Sequence, residues 1–496
     1  MIRFLFISIL ITVVIGCKTN PDAVLTEKIN PIEYSMDNNA KLILEYPEIS
    51  SISIGIYKDG KKYTKYYGEI DKGKGNKAND KSIFEIASVT KTFTAYLTAQ
   101  AVLDGKLKLD DDIRKYIEGS YTNLEFNNRP IFIKDILTHT TGIERKQFSE
   151  ILAKMFSIDV TNEERKEIKE YGTADFVDDL KKYQLEVTPG EKYNYSGFVA
   201  PEILALILEQ VYQTTYNELL EEFILKEAQM SQTLMNVNLE DKKYVLNGYT
   251  TNNRLVEPMQ MPLTGAGGGL KSTVPDLLKY IEFLLEKDNP VVKEMQKPLF
   301  FDEEEGDQYG YFWMLGDDNI MMHNGGTGGS VNWLILIPES NSGFTVSFNY
   351  NGDMANDLIN YIASSIVDDI INYPQKNAYF IVRDAIRENP DNWKKIYKKI
   401  KEETKEEYDF DDPNMLNSLG YELMGQDKIE EAIEVLELLV SEFPELSNPY
   451  DSLGEAYFMN KQYDLSLVNY KKSLELNPKN DNAVEMIEKI KTIKKN

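Results

Sequence analysis

Residues 87–105 read ASVTKTFTAYLTAQAVLDG, and they combine a helical pattern with a serine and a lysine three residues apart. The pattern predicts a helix from about Ser88 to Leu103 that stops near Gly105, since glycine is typical of helix ends. Residues three apart lie on one face of a helix, so Lys91 can reach the hydroxyl of Ser88. A lysine whose charged form is disfavoured by burial can take the proton of such a hydroxyl and make it a nucleophile.

The same Ser-x-x-Lys spacing also fits an ordinary helix start, with Ser88 as the capping residue and Lys91 in solvent. The chain contains this motif once, but short motifs arise by chance and need support from their surroundings. Only two histidines, His139 and His323, are present. A nucleophilic Ser88 would therefore need activation by something other than a Ser-His-Asp arrangement.

The composition excludes several classes of function. With 496 residues, 42% of them hydrophobic, the chain can build a large core and more than one domain. Its net charge of -26 argues against sequence-independent binding of nucleic acid and against electrostatic attraction to anionic lipid. One cysteine and two histidines are too few for a Cys/His zinc site, and the acidic runs lack the spacing of a calcium loop. We therefore expect no metal and no other cofactor.

The start of the chain, MIRFLFISILITVVIGCKTN, has the pattern of an export signal. One basic residue, Arg3, precedes an apolar or small stretch from Phe4 to Gly16, which is shorter than the roughly 20 residues of a membrane-spanning helix. Its end resembles a bacterial lipoprotein signal, in which a cysteine, here Cys17, is lipidated and becomes the mature N-terminus. We expect residues 1–17 to be this signal and the protein to be a membrane-anchored lipoprotein of the bacterial cell envelope, outside the cytoplasm. A plain signal peptide or a short anchor is the alternative.

The region that follows alternates between strand and helix patterns. A hairpin turning at Asp59-Gly60 is predicted by the alternating stretch around it, because Asp-Gly supplies the positive φ of a type I′ turn. Leu107–Tyr116 favours a short helix, and the charged, helical region 144–185 is expected to cover a site beneath it. From Gly310 to Gly352, short strands with short turns predict an antiparallel meander.

The C-terminal region repeats itself. Four positions recur 34 residues later, which is the period of a tetratricopeptide helix pair: Gly420 with Gly454, Ala432 with Ser466, Leu436 with Tyr470, and Pro444 with Pro478. We predict two tetratricopeptide-like repeats at residues 411–479, with a helical connector at 373–410 and a capping helix at 480–496. Such a module would offer a surface to a protein or peptide partner. Two unrelated helical hairpins are the alternative.

The surroundings of Ser88 carry a series of motifs. They are GKLKLDD from Gly105, LTHTTG from Leu137, TPGEKYNYSG from Thr188, GAGGGLKSTVPDLLKY from Gly265 and HNGGTGGS from His323. Together with the Ser-x-x-Lys helix, and in this order, they resemble the serine β-lactamase-related family, which includes class C β-lactamases, D,D-peptidases and related esterases. The resemblance covers roughly residues 35–372.

The resemblance implies an α+β fold, in which an antiparallel sheet is flanked by helices and accompanied by a helical subdomain, as in β-lactamases and penicillin-binding proteins. The predicted organisation is a signal peptide at 1–17, a tether at 18–34 and a serine hydrolase domain at 35–372. The all-α tetratricopeptide-like module follows.

Carried over by position, the resemblance makes Ser88 the acylated nucleophile and Lys91 its partner. Tyr195 would be the phenol that exchanges protons with the nucleophile and the leaving group. An unperturbed tyrosine titrates near 10, so it would need cationic neighbours to act as a base. Taken alone, Tyr195 can equally be a packing residue, and His139 is expected to hold its turn by hydrogen bonds.

The last motif implies the binding site for the substrate carbonyl. His323-Asn324-Gly325 would occupy the strand position where β-lactamases often carry Lys-Thr-Gly. The backbone N–H of Ser88 and one near Gly326 would form an oxyanion hole for the charge that develops on the carbonyl oxygen. Without the motif, His323 is also compatible with a structural role on its strand.

Two departures from the family pattern affect the expected substrate. Gly197 stands where β-lactamases have an asparagine that orients the substrate amide, and His323, neutral or cationic depending on pH, replaces a lysine. We expect an exported serine hydrolase that acts on esters, small amides or D-amino-acid peptides, rather than a true β-lactamase. The alternatives are a non-catalytic protein that binds cell-wall fragments and signals through the repeats, and a scaffold that works through the repeats alone.

Overall fold

The protein is described by a computed structural model over residues 29–147, 149–155, 157–259 and 261–495. The predicted signal peptide, its Cys17 and most of the predicted tether lie outside these residues. The chain divides into two compact units. Of the described residues, one unit holds those between 36 and 371, and the other holds 29–35 together with 372–495.

An 8-stranded sheet forms the centre of the first unit. Neighbouring strands are antiparallel, and their order is Lys61–Gly68, Ser51–Lys58, Ser342–Phe348, Val331–Ile337, Met321–Gly326, Trp313–Leu315, Asp307–Gly310 and Phe300–Asp302. The antiparallel meander predicted from Gly310 to Gly352 is confirmed by four of these strands, which pair in chain order: Trp313–Leu315, Met321–Gly326, Val331–Ile337 and Ser342–Phe348. The predicted hairpin is confirmed as well, since Asp59 and Gly60 have φ values of 48° and 81°.

Helices and short ribbons surround this sheet. The helices are α1 (Pro31–Ile43), α2 (Thr90–Leu103), α3 (Ile133–Leu137), α4 (Glu150–Met155), α5 (Asn162–Glu170), α6 (Thr173–Leu180), α7 (Val199–Tyr212), α8 (Tyr216–Leu220), α9 (Val274–Leu284), α10 (Pro290–Met295) and α11 (Ala355–Ile371). The ribbons pair Phe84–Glu85 with Lys271–Ser272, Glu125–Phe126 with Arg129–Pro130, and Gly248–Thr250 with Arg254–Val256. The α+β architecture implied by the resemblance is therefore present.

The short helix predicted over Leu107–Tyr116 is wrong. Only a single 3-10 turn forms there, over Ile113–Lys115. Two aspartates take the backbone N–H groups that a helix would use: Asp111 accepts from the N–H of Lys108 at 3.0 Å, and Asp112 accepts from that of Arg114 at 2.9 Å. Such local bonds between side chain and backbone compete with helix formation.

Helix α2 runs through the core, and most of its residues are buried. On one side the ring of Phe93 stacks on Tyr280 of α9, with centroids 4.0 Å apart. Helix α9 in turn lies directly on the sheet, where a Cβ on Gly55 would be 2.5 Å from Val274. This packing fixes α2, and the turn before it, relative to the sheet.

The second unit is built from helices. They are α12 (Tyr379–Glu388), α13 (Trp393–Thr404), α14 (Pro413–Gly425), α15 (Ile429–Glu442), α16 (Ser447–Met459), α17 (Tyr463–Leu476) and α18 (Asp481–Lys495). Gly420 lies against Leu436, and Gly454 lies against Tyr470, so matched positions of the 34-residue pattern meet in both hairpins. Whether they are tetratricopeptide repeats stays a prediction. None of the helices between residues 29 and 495 that the structure describes is both long and apolar enough to cross a bilayer.

Candidate active site

Ser88 lies on a 3-10 turn, Ala87–Val89, that leads directly into α2. The turn begins with Ala87 at φ 47°, a left-handed conformation that costs a non-glycine residue on the order of 1–3 kcal/mol. Ala87 and Val89 are both buried, whereas Ser88 is only half-buried. Solvent, and hence a substrate, can reach this turn at Ser88.

The amine of Lys91 is fully buried, and its Nζ lies 3.2 Å from Oγ of Ser88. Nζ also donates to the backbone carbonyls of Gly197 at 3.0 Å and of Gly267 at 2.6 Å. Burial lowers the pKa of Lys91 to about 7, although the Glu202 carboxylate acts in the opposite direction. A large fraction of Lys91 is therefore in the neutral form at neutral pH. Because two carbonyls hold the N–H bonds of this amine, its lone pair is left for the proton of Ser88. The alternative of a solvated lysine is wrong.

A close approach of two loops brings these carbonyls together. A Cβ on Gly267 would lie only 2.4 Å from the carbonyl oxygen of Gly197, so the approach requires glycine. Gly268 lies near the carbonyl group of Ala87. Gly267 and Gly268 therefore lie beside Lys91 and the turn that carries Ser88.

The phenol of Tyr195 faces Ser88, whose side chain acts to lower the pKa of the phenol, and Nζ of Lys91 lies 5.0 Å from the centre of its ring. Although 42% of Tyr195 is exposed, burial around the hydroxyl raises its pKa above the usual value of 10.0. Tyr195 therefore remains protonated at neutral pH. It can pass a proton on, but it does not start as the base, and Lys91 is the group with a suitable pKa.

His323 is buried on the strand Met321–Gly326. Its Nδ1 lies 2.7 Å from the backbone carbonyl of Asn324, which fixes the hydrogen on Nδ1 and leaves Nε2 as an acceptor. Burial, and then the charge of Lys91, lower the pKa of His323 to about 3. Of the two protonation states that the sequence left open, the neutral one applies at neutral pH.

The end of the strand Met321–Gly326 lies beside the segment that leads to the nucleophile. A Cβ on Gly325 would be 2.3 Å from the carbonyl oxygen of Ile86, so only glycine lets the strand pass this closely. Asn324 and Gly326 are exposed at the same edge. The residues predicted for the oxyanion hole and the predicted nucleophile are therefore adjacent, while the roles of their N–H groups stay predictions.

His139 holds the chain on both sides of Tyr195. Its carbonyl oxygen accepts from the N–H of Asn194 at 2.8 Å, and its Nδ1 accepts from the N–H of Ser196 at 3.2 Å. Its ring is buried, with its centre 4.5 Å from that of Tyr195. Burial, with the charges of Lys91 and His323, keeps the pKa of His139 well below 6.5, so it is neutral. These contacts extend beyond its own turn.

Glu202 on α7 is a residue of the site that the sequence analysis missed. It is fully buried, and its carboxylate accepts from the N–H and Oγ1 of Thr264 at 3.2 and 2.6 Å and from the N–H of Ala266 at 2.9 Å. Burial raises its pKa to about 7. The available signal was a single carboxylate inside the apolar run VAPEILALIL of residues 199–208.

Glu85 is a second missed carboxylate, on the short strand Phe84–Glu85 just before the turn that carries Ser88. Its Oε1 accepts from the N–H of Met259 at 2.9 Å, and the nearby side chain of Thr327 acts to lower its pKa. Burial raises the pKa of Glu85, whereas Lys271 lowers it. Glu85 thus ties the strand end after Gly326 to a neighbouring loop. Over the described residues, no three His, Cys, Asp or Glu side chains are grouped as a metal ion would require.

A cavity of about 290 Å³ opens beside the end of the strand Met321–Gly326. Gly326, Thr327 and Gly328 form one wall. The apolar lining consists of Met155, Ile158, Val160, Ile168, Val256 and Met259, and the charged residues are Arg165 and Glu257. The cavity approaches the size of small-molecule sites. Helices α4 and α5 contribute to it, so the region 144–185 does border the site.

A family model described as Beta-lactamase matches residues 39–366 of the chain. Protein flp of Staphylococcus aureus strain MRSA252 is 27% identical over 349 residues, which cover 68% of this chain and 67% of that protein. A Beta-lactamase of Providencia stuartii is 24% identical over 258 residues, covering 51% of this chain and 60% of that protein.

Solved structures share the fold at lower identity. The octameric penicillin-binding protein homologue of Pyrococcus abyssi superposes with a TM-score of 0.56 at 24% identity, covering 72% of this chain and 81% of that one. A Beta-lactamase/D-alanine carboxypeptidase of Yersinia pestis gives a TM-score of 0.56 at 21% identity, covering 68% and 98%. These likenesses concern the fold of the first compact unit.

Proposed function

The chain belongs to the Beta-lactamase family, and from that membership and the geometry around Ser88 we propose that it is a serine hydrolase acting through an acyl-enzyme. The main support for the proposal is the position of the buried amine of Lys91. Two backbone carbonyls hold this amine, and its Nζ lies 3.2 Å from Oγ of Ser88. The proposed substrates are esters or small amides, including D-amino-acid peptides.

In the acylation step, neutral Lys91 takes the proton of Ser88 while Oγ attacks the carbonyl carbon of the substrate. We assign the backbone N–H groups of Ser88 and Gly326 to the negative oxygen that develops. Tyr195 then donates its phenolic proton to the leaving oxygen or nitrogen and is reprotonated by the Lys91 ammonium. The bond to the leaving group breaks, and the acyl group stays on Ser88.

Deacylation reverses these proton movements. A water molecule attacks the ester carbonyl while neutral Lys91, assisted by Tyr195, takes its proton. The same proton returns to Oγ of Ser88 as the ester bond breaks. The products are the free acid and the original enzyme.

Two features of the site favour uncharged esters over β-lactams. Neutral His323 gives a substrate carboxylate no fixed positive partner at the strand where β-lactamases often have lysine. Gly197 has no side-chain amide to orient the amide of an antibiotic, and its carbonyl is already engaged by Lys91. Ester hydrolysis needs neither interaction.

The test uses the purified full-length chain and three substrates: a short-chain nitrophenyl ester, a chromogenic cephalosporin and a D-Ala-D-Ala peptide. Turnover of the ester and an acyl adduct in the intact mass are expected for the wild type, and neither for Ser88→Ala. A covalent serine probe that labels wild type and Ser88→Ala equally would defeat the proposal.

A non-catalytic sensor of cell-wall fragments is the second candidate. The same two features are compatible with it, because Gly197 and neutral His323 lack the interactions with which a β-lactamase would orient its substrate. Ser88-dependent hydrolysis of any ester rules out a purely binding role. Saturable binding of a peptidoglycan fragment without turnover of any of the three substrates would favour it.

We also propose where the protein acts and what else it binds. Lipidation at Cys17 would anchor it in the cell envelope, outside the cytoplasm. The repeats predicted at residues 411–479 would bind a protein or peptide partner. Both proposals rest on the sequence patterns alone.

A further inference from the structure

The loop that supplies a carbonyl to Lys91 is held in place by Glu202. The two carboxylate oxygens of Glu202 accept three hydrogen bonds from Thr264 and Ala266, at 2.6 to 3.2 Å. The next residue along the chain is Gly267, whose carbonyl accepts from Nζ of Lys91 at 2.6 Å. The position of this acceptor therefore depends on the carboxylate of Glu202.

The opposite side of the same loop is attached to α2. The carbonyl of Ala266 accepts from Oγ1 of Thr94 at 2.9 Å, and Thr94 lies one turn after Lys91. Thr94 also shares a hydrogen bond of 2.6 Å with the hydroxyl of Tyr216. The loop is thus clamped between the helix that carries Lys91 and the helix that carries Glu202.

Glu202 also differs in charge from the other groups near Lys91. The histidines at 139 and 323 are neutral because burial lowers the pKa of each, and Tyr195 stays protonated. Ser88 is uncharged. Among the described residues, Glu202 is the negative group that opposes the effect of burial on the pKa of Lys91.

We propose that Glu202 is a positioning residue that orients the Gly267 carbonyl toward Lys91 and tunes the charge of the amine through space. The inference rests on the proposed function, in which Lys91 is the base. No sequence motif of the family resemblance includes Glu202. Among the described residues, Glu202 is hydrogen-bonded to Thr264 and Ala266 and does not line the cavity, so its proposed effect on the reaction passes through Lys91.

The sign of its effect follows from the charges. An ionised Glu202 attracts the proton on Lys91, so a neutral side chain at 202 lets Lys91 lose its proton at lower pH. The pKa of Glu202 itself is raised to about 7, so Glu202 and Lys91 titrate together. The fall of kcat/KM at acidic pH, called the acidic limb below, therefore belongs to the pair. Removing the carboxyl group leaves a single titration, that of Lys91.

The experiment measures kcat/KM for a nitrophenyl ester against pH in the wild type, Glu202→Gln and Glu209→Gln. In Glu202→Gln, we expect the acidic limb to move to lower pH by about one unit or more, because an opposite charge nearby shifts a pKa by about 1–3 units. Glu209 lies on the same helix, where Oε1 accepts from the N–H of Tyr216 at 2.8 Å, and its variant should keep the wild-type limb.

A second variant covers the case in which Glu202→Gln does not fold. Thr264→Val removes the 2.6 Å hydrogen bond to Glu202 and keeps the shape of the side chain. The carboxylate is then less stable in its ionised form, so the limb should move in the same direction by a smaller amount. An unmoved limb in the folded variants, with Ser88-dependent turnover in the wild type, overturns this inference alone. No Ser88-dependent turnover in the wild type overturns the proposed function and this inference with it.

Discussion

The ring of His139 packs against that of Tyr195, with centres 4.5 Å apart, while the backbone N–H of the residue after the tyrosine donates to Nδ1 of the histidine. The carbonyl of His139 holds the residue before the tyrosine as well. His139 thus fixes the position of the phenol that we propose as the proton donor to the leaving group.

Replacing His139 with alanine should lower kcat and leave KM nearly unchanged, since the loss affects proton transfer and not substrate binding. We expect a fall of about 10- to 100-fold, part of the 10²–10⁴ that general acid–base groups contribute. Asparagine should restore part of the rate, because its Oδ1 can accept from Ser196 and it tolerates the φ of 58° at this position. An Asn variant no better than Ala, or a change confined to KM, would contradict the positioning role.

The activity should fall as the pH drops through about 7, because the pKa of Lys91 is about 7 and only the neutral amine can act as a base. Lys91→Arg should lose about 10²–10⁴ in kcat/KM, since arginine keeps its charge at every accessible pH. The check is a pH profile of kcat/KM between 5 and 9. His323→Gln should keep the position of the limb, because the pKa of His323 is about 3 and this histidine does not titrate in that range. A limb that moves with His323 would assign the titration to the histidine.

Local patterns could be predicted from the sequence. Asp59-Gly60 specifies its turn through the φ preferences of two residues, and the spacing of Ser88 and Lys91 follows from one turn of helix. The meander from Gly310 to Gly352 depends on neighbouring strands with short connections. In each case the deciding interactions lie within a few residues of one another.

Long-range contacts could not be predicted in this way. The partners of Glu202 are 62 and 64 residues farther along the chain, so its burial and its hydrogen bonds exist only in the folded protein. The neutral state of His323 likewise depends on burial that no local pattern reveals. The failed helix at Leu107–Tyr116 is a local error, because the aspartates there satisfy backbone groups that the periodicity assigned to a helix.

The close contact between Gly267 and Gly197 should make the enzyme sensitive to a larger residue at position 267. A methyl group at 267 would lie 2.4 Å from the Gly197 carbonyl, so Gly267→Ala must push apart the two acceptors of Lys91. We expect kcat to fall by about 10²-fold, as small misplacements near the chemistry do, and the free energy of unfolding to fall by about 1–3 kcal/mol. Gly172→Ala is the matched control, because its nearest neighbour would be 3.8 Å from the new methyl group. Equal rates in the two variants would mean that the loop contact does not matter for Lys91.

Lipidation is predicted at Cys17, which is the only cysteine of the chain. An alkyne-labelled fatty acid fed to cells making the full-length protein should label the wild type and not Cys17→Ser. The variant should also leave the membrane fraction, since each buried methylene of an acyl chain contributes about 0.8 kcal/mol to anchoring. Equal labelling of the wild type and Cys17→Ser would argue against the lipoprotein signal. So would the absence of any labelling of the wild type in a host that processes lipoproteins.

The cavity beside Gly326 should receive the acyl group of the substrate. Tyr195 must lie next to the leaving group to protonate it, and Tyr195 does not line this cavity. We therefore expect the leaving group to lie outside the cavity and the acyl group to point into it. Nitrophenyl esters should therefore improve from acetate to butanoate, by up to about 4-fold in kcat/KM per methylene at about 0.8 kcal/mol each.

Ile158 provides the matching mutation, because it lines the cavity and contacts the wall at Gly328. Ile158→Ala should reduce kcat/KM several-fold for the butanoate ester and leave the acetate ester nearly unaffected, since we expect only the longer acyl group to reach this side chain. Leu239→Ala is the control for loss of an apolar surface residue, because Leu239 is 83% exposed and does not line the cavity. If Ile158→Ala slowed both esters equally, or if chain length had no effect in the wild type, the acyl group would have to lie elsewhere.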